Sequence, residues 1–269
     1  MSQERQLPLQ SAQDRDYTQF VSKIKIRTGI DLSCYKESQM RRRLTSMKDN
    51  RGYRTFGDFY QAIQQDNKLY EQLLEHMTIN VSEFYRNVKR WEVLERAIMP
   101  ELLARSRSIR CWSAACSTGD EPYTLVMMLA KKFKMSDIHI LATDIDQAAI
   151  RKAKEGVYPA QSVKEVPRPL LGRYFKMQGS FFAIADEIKR CVTFKRHNLL
   201  ADAYETNFDL IVCRNVLIYF TDEAKDAIIQ KFSRSLKQGG YLFVGGTEQI
   251  FNAARYRLEP ADTFFYRKI

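Results

Sequence analysis

Along residues 17–107 the apolar positions recur with the 3.6-residue period of a helix, with little β-branched density. Met40, Leu44 and Met47 stand at i, i+4 and i+7, one stripe of a single helix. The stretches "TFGDFYQAI" and "NKLYEQLLEHM" predict two further short amphipathic helices. Trp91, Leu94, Ile98 and Leu102 mark a longer one. Pro100 is expected to kink it or end its first half, because proline has no N–H to donate and its ring meets the preceding turn. The expected organisation is a disordered lead over 1–16, an all-α domain over 17–90 and a linking helix over 91–108.

After residue 108 the pattern changes. "IRCWSAA", "DIHILATDI", "CVTFKRHN", "FDLIVCR" and "GYLFVGG" read as short apolar strands, with helical stretches at 121–134, 146–155 and 222–237 between several of them. Strand alternating with helix predicts a mostly parallel, Rossmann-like α/β sheet covered on both faces, over 109–269. The final "PADTFFYRKI" has no helix after it and is expected to add one antiparallel strand. Residues 156–190 hold three prolines, three glycines and an aromatic-rich core. That is too long for an ordinary connection of about 2–6 residues, so an inserted subdomain of short strands is expected there.

Composition narrows the setting. No apolar run approaches the roughly 20 residues that span a bilayer, and the polar N-terminus lacks a signal region. The reading is a cytoplasmic protein without direct membrane insertion. Five cysteines form no Cys-x-x-Cys pair and the three histidines stand far apart, which argues against a metal site. An odd thiol count without an export signal suits a reducing compartment. The net charge of +11 points to an acidic partner, of a kind that charge alone does not choose.

The segment "SAACSTGDEPYT" runs from a strand through one glycine turn into a helix. A dinucleotide would want G-x-G-x-x-G, so that backbone could reach its pyrophosphate. Here only Gly119 is available, and Asp120 and Glu121 would repel a phosphate at the helix start. A cationic ligand without phosphate fits better. S-adenosylmethionine carries a sulfonium, an α-ammonium, a ribose diol and an adenine. Asp144, 25 residues after Gly119 at the end of the second strand, is placed to accept from the ribose hydroxyls. Asp146 is expected to cap the following helix instead.

"MTINVSEFYRN", "SAACSTGDEPYT", "ATDID", "HNLL", "CRNVLIYF" and "LFVGGTEQ", in this order, resemble the chemotaxis receptor glutamate methyltransferases of the CheR type, over residues 17–268. The resemblance implies a methyltransferase sheet with a small β-subdomain, preceded by an all-α receptor-recognition domain. It implies S-adenosylmethionine as methyl donor and S-adenosylhomocysteine as product. It carries cofactor contacts to Asn80, Ser82, Arg86, Glu121, Asp144, Asn198, Leu199, Arg214 and Asn215, and a place beside the transferable methyl to Tyr219. Arg86 and Tyr219 are the expected catalytic pair.

The implied substrate is a glutamate on the cytoplasmic helical domain of a transmembrane chemoreceptor, and the implied location is beside membrane-bound receptor arrays. Such a carboxylate, with an ordinary pKa of about 4.3, is already ionised at neutral pH, so in-line displacement needs no general base. "KESQMRRRLTSMKDNR" holds six Lys or Arg against two acids, and Arg41, Arg42, Arg43 and Lys48 offer a face to acidic receptor helices. The 156–190 insert resembles a subdomain that in some members docks a receptor's C-terminal peptide. Enzymes that methylate exocyclic amines often show an Asn/Asp-Pro-Pro-aromatic tetrad after the fourth strand. Here "RNVLIY" has no proline, so nucleic acid is not the expected partner. A monomer is expected.

Overall fold

Ser11 caps the first helix: its Oγ accepts the Asp14 N–H at 3.1 Å, which starts α1 (Ala12–Thr28) inside the expected disordered lead. The computed structural model describes residues 11–78 and 80–269; the rest of that lead lies outside the described residues. Asp16, also assigned to the lead, instead accepts the N–H groups of Phe56 (2.6 Å) and Gly57 (3.0 Å), capping a helix forty residues on. Gly29 ends α1 with φ +74°, its N–H returning to the Lys25 carbonyl at 2.9 Å.

The first unit continues with α2 (Glu37–Asn50), α3 (Phe56–Gln65) and α4 (Asn67–Thr78). Phe20, Ile24, Leu44, Phe59, Ile63 and Leu73 are buried between these helices. Met40 and Met47 join Leu44 on the buried stripe of α2, as the i, i+4, i+7 spacing requires.

The described residues divide into two compact units between Thr78 and Asn80, not after residue 90 as expected from sequence. Aromatic packing is the reason. Phe84 is fully buried, edge-on to Tyr158 (4.8 Å) and Phe175 (5.2 Å), and the Tyr85 N–H donates to Thr124 Oγ1 at 3.1 Å, so residues 80–90 belong to the second unit.

The second unit opens on one helical run: α5 (Val88–Val93), a π turn (Leu94–Ile98) and α6 (Met99–Arg105). Pro100 neither ends nor breaks the run. It sits in the first turn of α6, where its missing N–H is harmless, and the preceding turn widens so that the Met99 N–H reaches the Leu94 carbonyl.

The sheet alternates as the pattern predicts: β1 (Ile109–Ala114), α7 (Asp120–Leu129), β2 (Ile138–Asp144) and α8 (Gln147–Glu155). The chain then enters a separate antiparallel sheet of β3 (Val157–Pro159), β4 (Phe175–Gln178) and β5 (Phe181–Ile184), ordered β3-β5-β4 and flanked by α9 (Arg168–Tyr174) and α10 (Asp186–Lys189). It returns through β6 (Val192–Arg196), β7 (Phe208–Cys213), α11 (Asp222–Ser235) and β8 (Leu236–Val244). The last segment is a hairpin of β9 (Leu258–Asp262) and β10 (Phe265–Lys268) rather than the single expected strand, because the chain reverses at Thr263–Phe264, with Phe264 at φ +69°.

The main sheet has the order β6-β2-β1-β7-β8-β10-β9, parallel from β6 to β8, with β10 antiparallel to both β8 and β9. Strand β1 pairs with β2 on one side and with β7 on the other, so connections leave it in opposite directions. The crevice at the carboxyl ends of β1, β2 and β7 is therefore the topological switch point.

Candidate active site

Three left-handed residues build the turn that leaves β1: Ala115 (φ +64°), Ser117 (φ +46°) and Gly119 (φ +90°). A Cβ on Gly119 would lie 2.9 Å from Ala153 Cβ and 3.1 Å from the Tyr158 hydroxyl, so the turn presses against α8 where only glycine fits. The Tyr158 hydroxyl donates to the Thr118 carbonyl at 2.8 Å, pinning the turn from the inserted sheet.

Asp144 joins this turn to the end of β2. Its Oδ2 accepts the Ser117 N–H at 2.8 Å and its Oδ1 the Asp146 N–H at 2.9 Å. Each oxygen has a second lone pair, so the carboxylate can still accept from a diol. Asp146 caps α8, its Oδ1 accepting from Ala148 N–H (2.7 Å) and Ala149 N–H (3.1 Å), the cap expected from sequence. Asn80 joins the same cluster: its Nδ2 donates to Asp146 Oδ2 at 2.6 Å and its Oδ1 accepts from Ser117 Oγ at 3.1 Å.

The acids sit in an environment that penalises their charge. Burial pushes the Asp144 pKa up to about 6, against the pull of its backbone N–H donors. Glu121 accepts from Ser113 Oγ at 2.8 Å and lies 3.7 Å from Arg214 Nη1, yet burial still raises its pKa to about 7. Burial also raises Asp120, and the hydroxyls of Thr118 (2.6 Å to Oδ2) and Ser82 work against that rise. A cation entering here would favour the ionised forms of carboxylates whose charge burial penalises. The donor set thus fits S-adenosylmethionine through its charge and its ribose.

Arg214 follows β7 and is buried. Its Nη2 donates to the Arg86 carbonyl at 2.8 Å, which also accepts the Trp91 indole N–H at 3.1 Å, and its guanidinium lies over Phe243 (4.7 Å) and Trp91 (5.3 Å). The Arg86 side chain folds back onto the Val81 carbonyl at 3.1 Å, and its charge stabilises ionised Glu121. Residues 80–86 are therefore a strap tied to the switch point through Asn80, Ser82, Tyr85 and Arg86. Asn215 stands at φ +61°, and Tyr219 lies half-buried on the 3-10 turn Leu217–Tyr219. Asn198 and Leu199 follow β6 beside β2, where the His197 N–H donates to the Asp144 carbonyl at 2.9 Å. Asn198 Oδ1 is turned onto the Leu200 N–H (3.0 Å) and Leu199 is buried.

The basic face of α2 is narrower than its charge count. Lys48 is buried, its ammonium bound to Asp49 (2.5 Å) and to the carbonyls of Tyr53 (3.1 Å) and Arg54 (3.2 Å), which removes it from the surface. Arg43 donates to the His76 carbonyl and so joins α2 to α4. Arg41 pairs with Asp14 (2.6 Å) and Glu37 (3.7 Å), and Arg42 is the exposed member.

One residue at the site escaped the sequence reading of single positions. Glu248 lies in the "LFVGGTEQ" stretch and is buried, with backbone N–H groups from two strand ends converging on its carboxylate. The glycine pair before it was the visible signal, since close approach of a side chain to backbone needs glycine.

A mostly parallel sheet with acids at its switch point and a single glycine turn fits an S-adenosylmethionine-dependent methyltransferase, the class that similarity to known proteins establishes. The family model for the CheR methyltransferase all-alpha domain matches residues 15–78, and that for the CheR methyltransferase SAM binding domain matches residues 80–265. The chain is 44% identical over 256 residues to a chemotaxis protein methyltransferase of Listeria monocytogenes, covering 95% of this chain and 98% of that one. It is 34% identical to chemotaxis protein methyltransferase 1 of Pseudomonas aeruginosa over 255 residues (90% and 93% covered), and 33% identical to the Borreliella burgdorferi protein over 236 (82% and 83%). The chain belongs to the CheR methyltransferase family. S-adenosylmethionine is its cofactor, and its reaction is a methylation in chemotaxis.

Proposed function

We propose that this enzyme methylates glutamate side-chain carboxylates on the cytoplasmic helical domains of transmembrane chemoreceptors, giving methyl esters. The observation that carries this reading is the pair of arginines beside the acids: Arg214 at the end of β7, 3.7 Å from Glu121, with Arg86 in electrostatic reach of Glu121. A guanidinium does not take up a proton near neutral pH, so it cannot activate a hydroxyl or an amine, but it can hold a carboxylate. An acceptor that arrives as an anion suits such groups. A glutamate does, with an ordinary pKa of about 4.3.

S-adenosylmethionine supplies the electrophilic methyl group. Asp144 holds its ribose and Glu121 its ammonium; Asn80, Ser82, Asn198, Leu199, Arg214 and Asn215 complete the contacts. Arg86 orients the incoming carboxylate, and Tyr219 keeps the methyl in line with it. Bringing the two reactants together in a closed, dry site accounts for the rate without acid–base help.

The first unit recognises the receptor through α2, with Arg42 as its exposed charge and Arg41 able to exchange Asp14 and Glu37 for receptor acids. A cluster of this kind governs encounter and specificity more than raw affinity. The enzyme works as a cytoplasmic monomer at receptor arrays. Among the described residues no helix is long and apolar enough to cross a membrane. Incubation of the pure enzyme with methyl-labelled S-adenosylmethionine and receptor-containing membranes is expected to label the receptor band, with the label released as methanol by mild base. Base-stable label, or label confined to nucleic acid, would contradict the glutamate reading.

A further inference from the structure

Glu248 is where the turn after β8 bends back over its own strand, the Glu248 N–H donating to the Gly245 carbonyl at 3.0 Å. Its Oε2 accepts the N–H groups of Asn215 and Gly245, both at 2.7 Å, and its Oε1 those of Val216 (2.8 Å) and Ile218 (3.3 Å). Four backbone donors from two parallel strand ends thus meet one carboxylate. Gly245 permits the approach: a Cβ there would stand 2.3 Å from Oε2. The direct partners of this carboxylate are thus oriented N–H dipoles, with the charge of Arg214 acting on it as well. Glutamine could not replace it isosterically, because an amide offers one acceptor oxygen and would turn an N–H₂ toward donors.

We infer that Glu248 is a positioning residue for methyl transfer, its carboxylate fixing the 215–219 loop against the end of β8 so that Asn215 and Tyr219 face the reacting groups. The loop it grips starts from Asn215 in a left-handed conformation, which costs free energy unless neighbouring bonds hold it. Three of the four bonds fall within four residues of Tyr219. This inference rests on the placement of Asn215 and Tyr219 at the methyl-transfer site.

The test uses the full chain with receptor-containing membranes and the variants Glu248→Gln, Glu248→Asp and Tyr219→Phe, scored for cofactor Kd by calorimetry, kcat per cofactor-binding site and melting temperature. Glu248→Gln is expected to lower kcat by about 100-fold or more, as loss of one preorganised polar contact does, while cofactor Kd rises no more than about fivefold. Glu248→Asp keeps the charge but is too short to span both strand ends, and is expected to lose kcat by about fivefold. If glutamine does not fold, the aspartate variant decides alone. Combined with Tyr219→Phe, either variant is expected to cost less than the product of the two single losses, as residues acting through one element do. Full kcat per cofactor-binding site in a folded Glu248 variant, or losses that simply multiply, would overturn the inference. Should Tyr219→Phe alone keep full turnover, the Tyr219 assignment fails, and the inference, which rests on it, is overturned with it. Should Tyr219→Phe slow turnover while the Glu248 variants do not, only the inference falls.

Discussion

Asp144→Ala is expected to weaken S-adenosylmethionine binding by about a hundredfold or more, since two hydrogen bonds to a charged acceptor are worth about 1.5–3 kcal/mol each. The loss has a second source. The same carboxylate orders the glycine turn through the Ser117 N–H at 2.8 Å and holds the Asp146 N–H at 2.9 Å. Alanine strands both donors in a buried place, at a cost of about 1–3 kcal/mol of stability for each group left unpaired. Asp144→Asn separates the two effects: it keeps one acceptor oxygen for backbone and loses the charge. Its melting point is therefore expected between wild type and alanine, with cofactor affinity closer to alanine. Calorimetric Kd values alongside melting curves check both. An alanine variant that binds the cofactor as tightly as wild type would remove Asp144 from the site.

Gly119→Val is expected to cost about 3 kcal/mol or more of stability in the second unit and to abolish cofactor-dependent stabilisation. At φ +90° a β-branched residue is in a region it does not normally occupy. The added Cβ would also meet Ala153 Cβ at 2.9 Å, backed by the Tyr123 ring at 3.2 Å, so neither α8 nor α7 can give way cheaply. Moving the turn shifts the Ser117 N–H off Asp144 and carries Asp120 and Glu121 with it. Thermal melting with and without S-adenosylmethionine measures both consequences. Unchanged melting and an unchanged ligand-induced shift would mean that the turn is not under this constraint.

Much of this was legible in the chain because the signals are local. The period change at residue 108, the glycine turn with its two acids, and the cap that Asp146 makes on α8 all follow from spacing and capping rules that act over a few residues. What escaped was tertiary hydrogen bonding over long separations. Asp16 looks like part of a polar leader until the N-terminus of α3 is brought to it. Lys48 counts as one more charge on a basic helix until the carbonyls of residues 53 and 54 wrap back onto its ammonium. The strap at 80–90 has the periodicity of the helices before it, yet the rings that bury Phe84 belong to Tyr158 and Phe175, far along the chain. Glu248 reads as one acid in a loop, because the donors that give it meaning belong to two different strand ends.

The most direct measurement is calorimetric titration of the full chain with S-adenosylmethionine, in buffers of different ionisation enthalpy, from pH 5.5 to 7.5. Glu121 and Asp144, with pKa values near about 7 and about 6 in the free protein, are partly protonated over that range. A cation favours their ionised forms, so binding should expel protons and tighten as pH rises. The expected result is one saturable site per chain with net proton release near pH 6.5. An absence of saturable heat, or a net uptake of protons on binding, would contradict the claim that buried carboxylates at the switch point hold a cationic methyl donor.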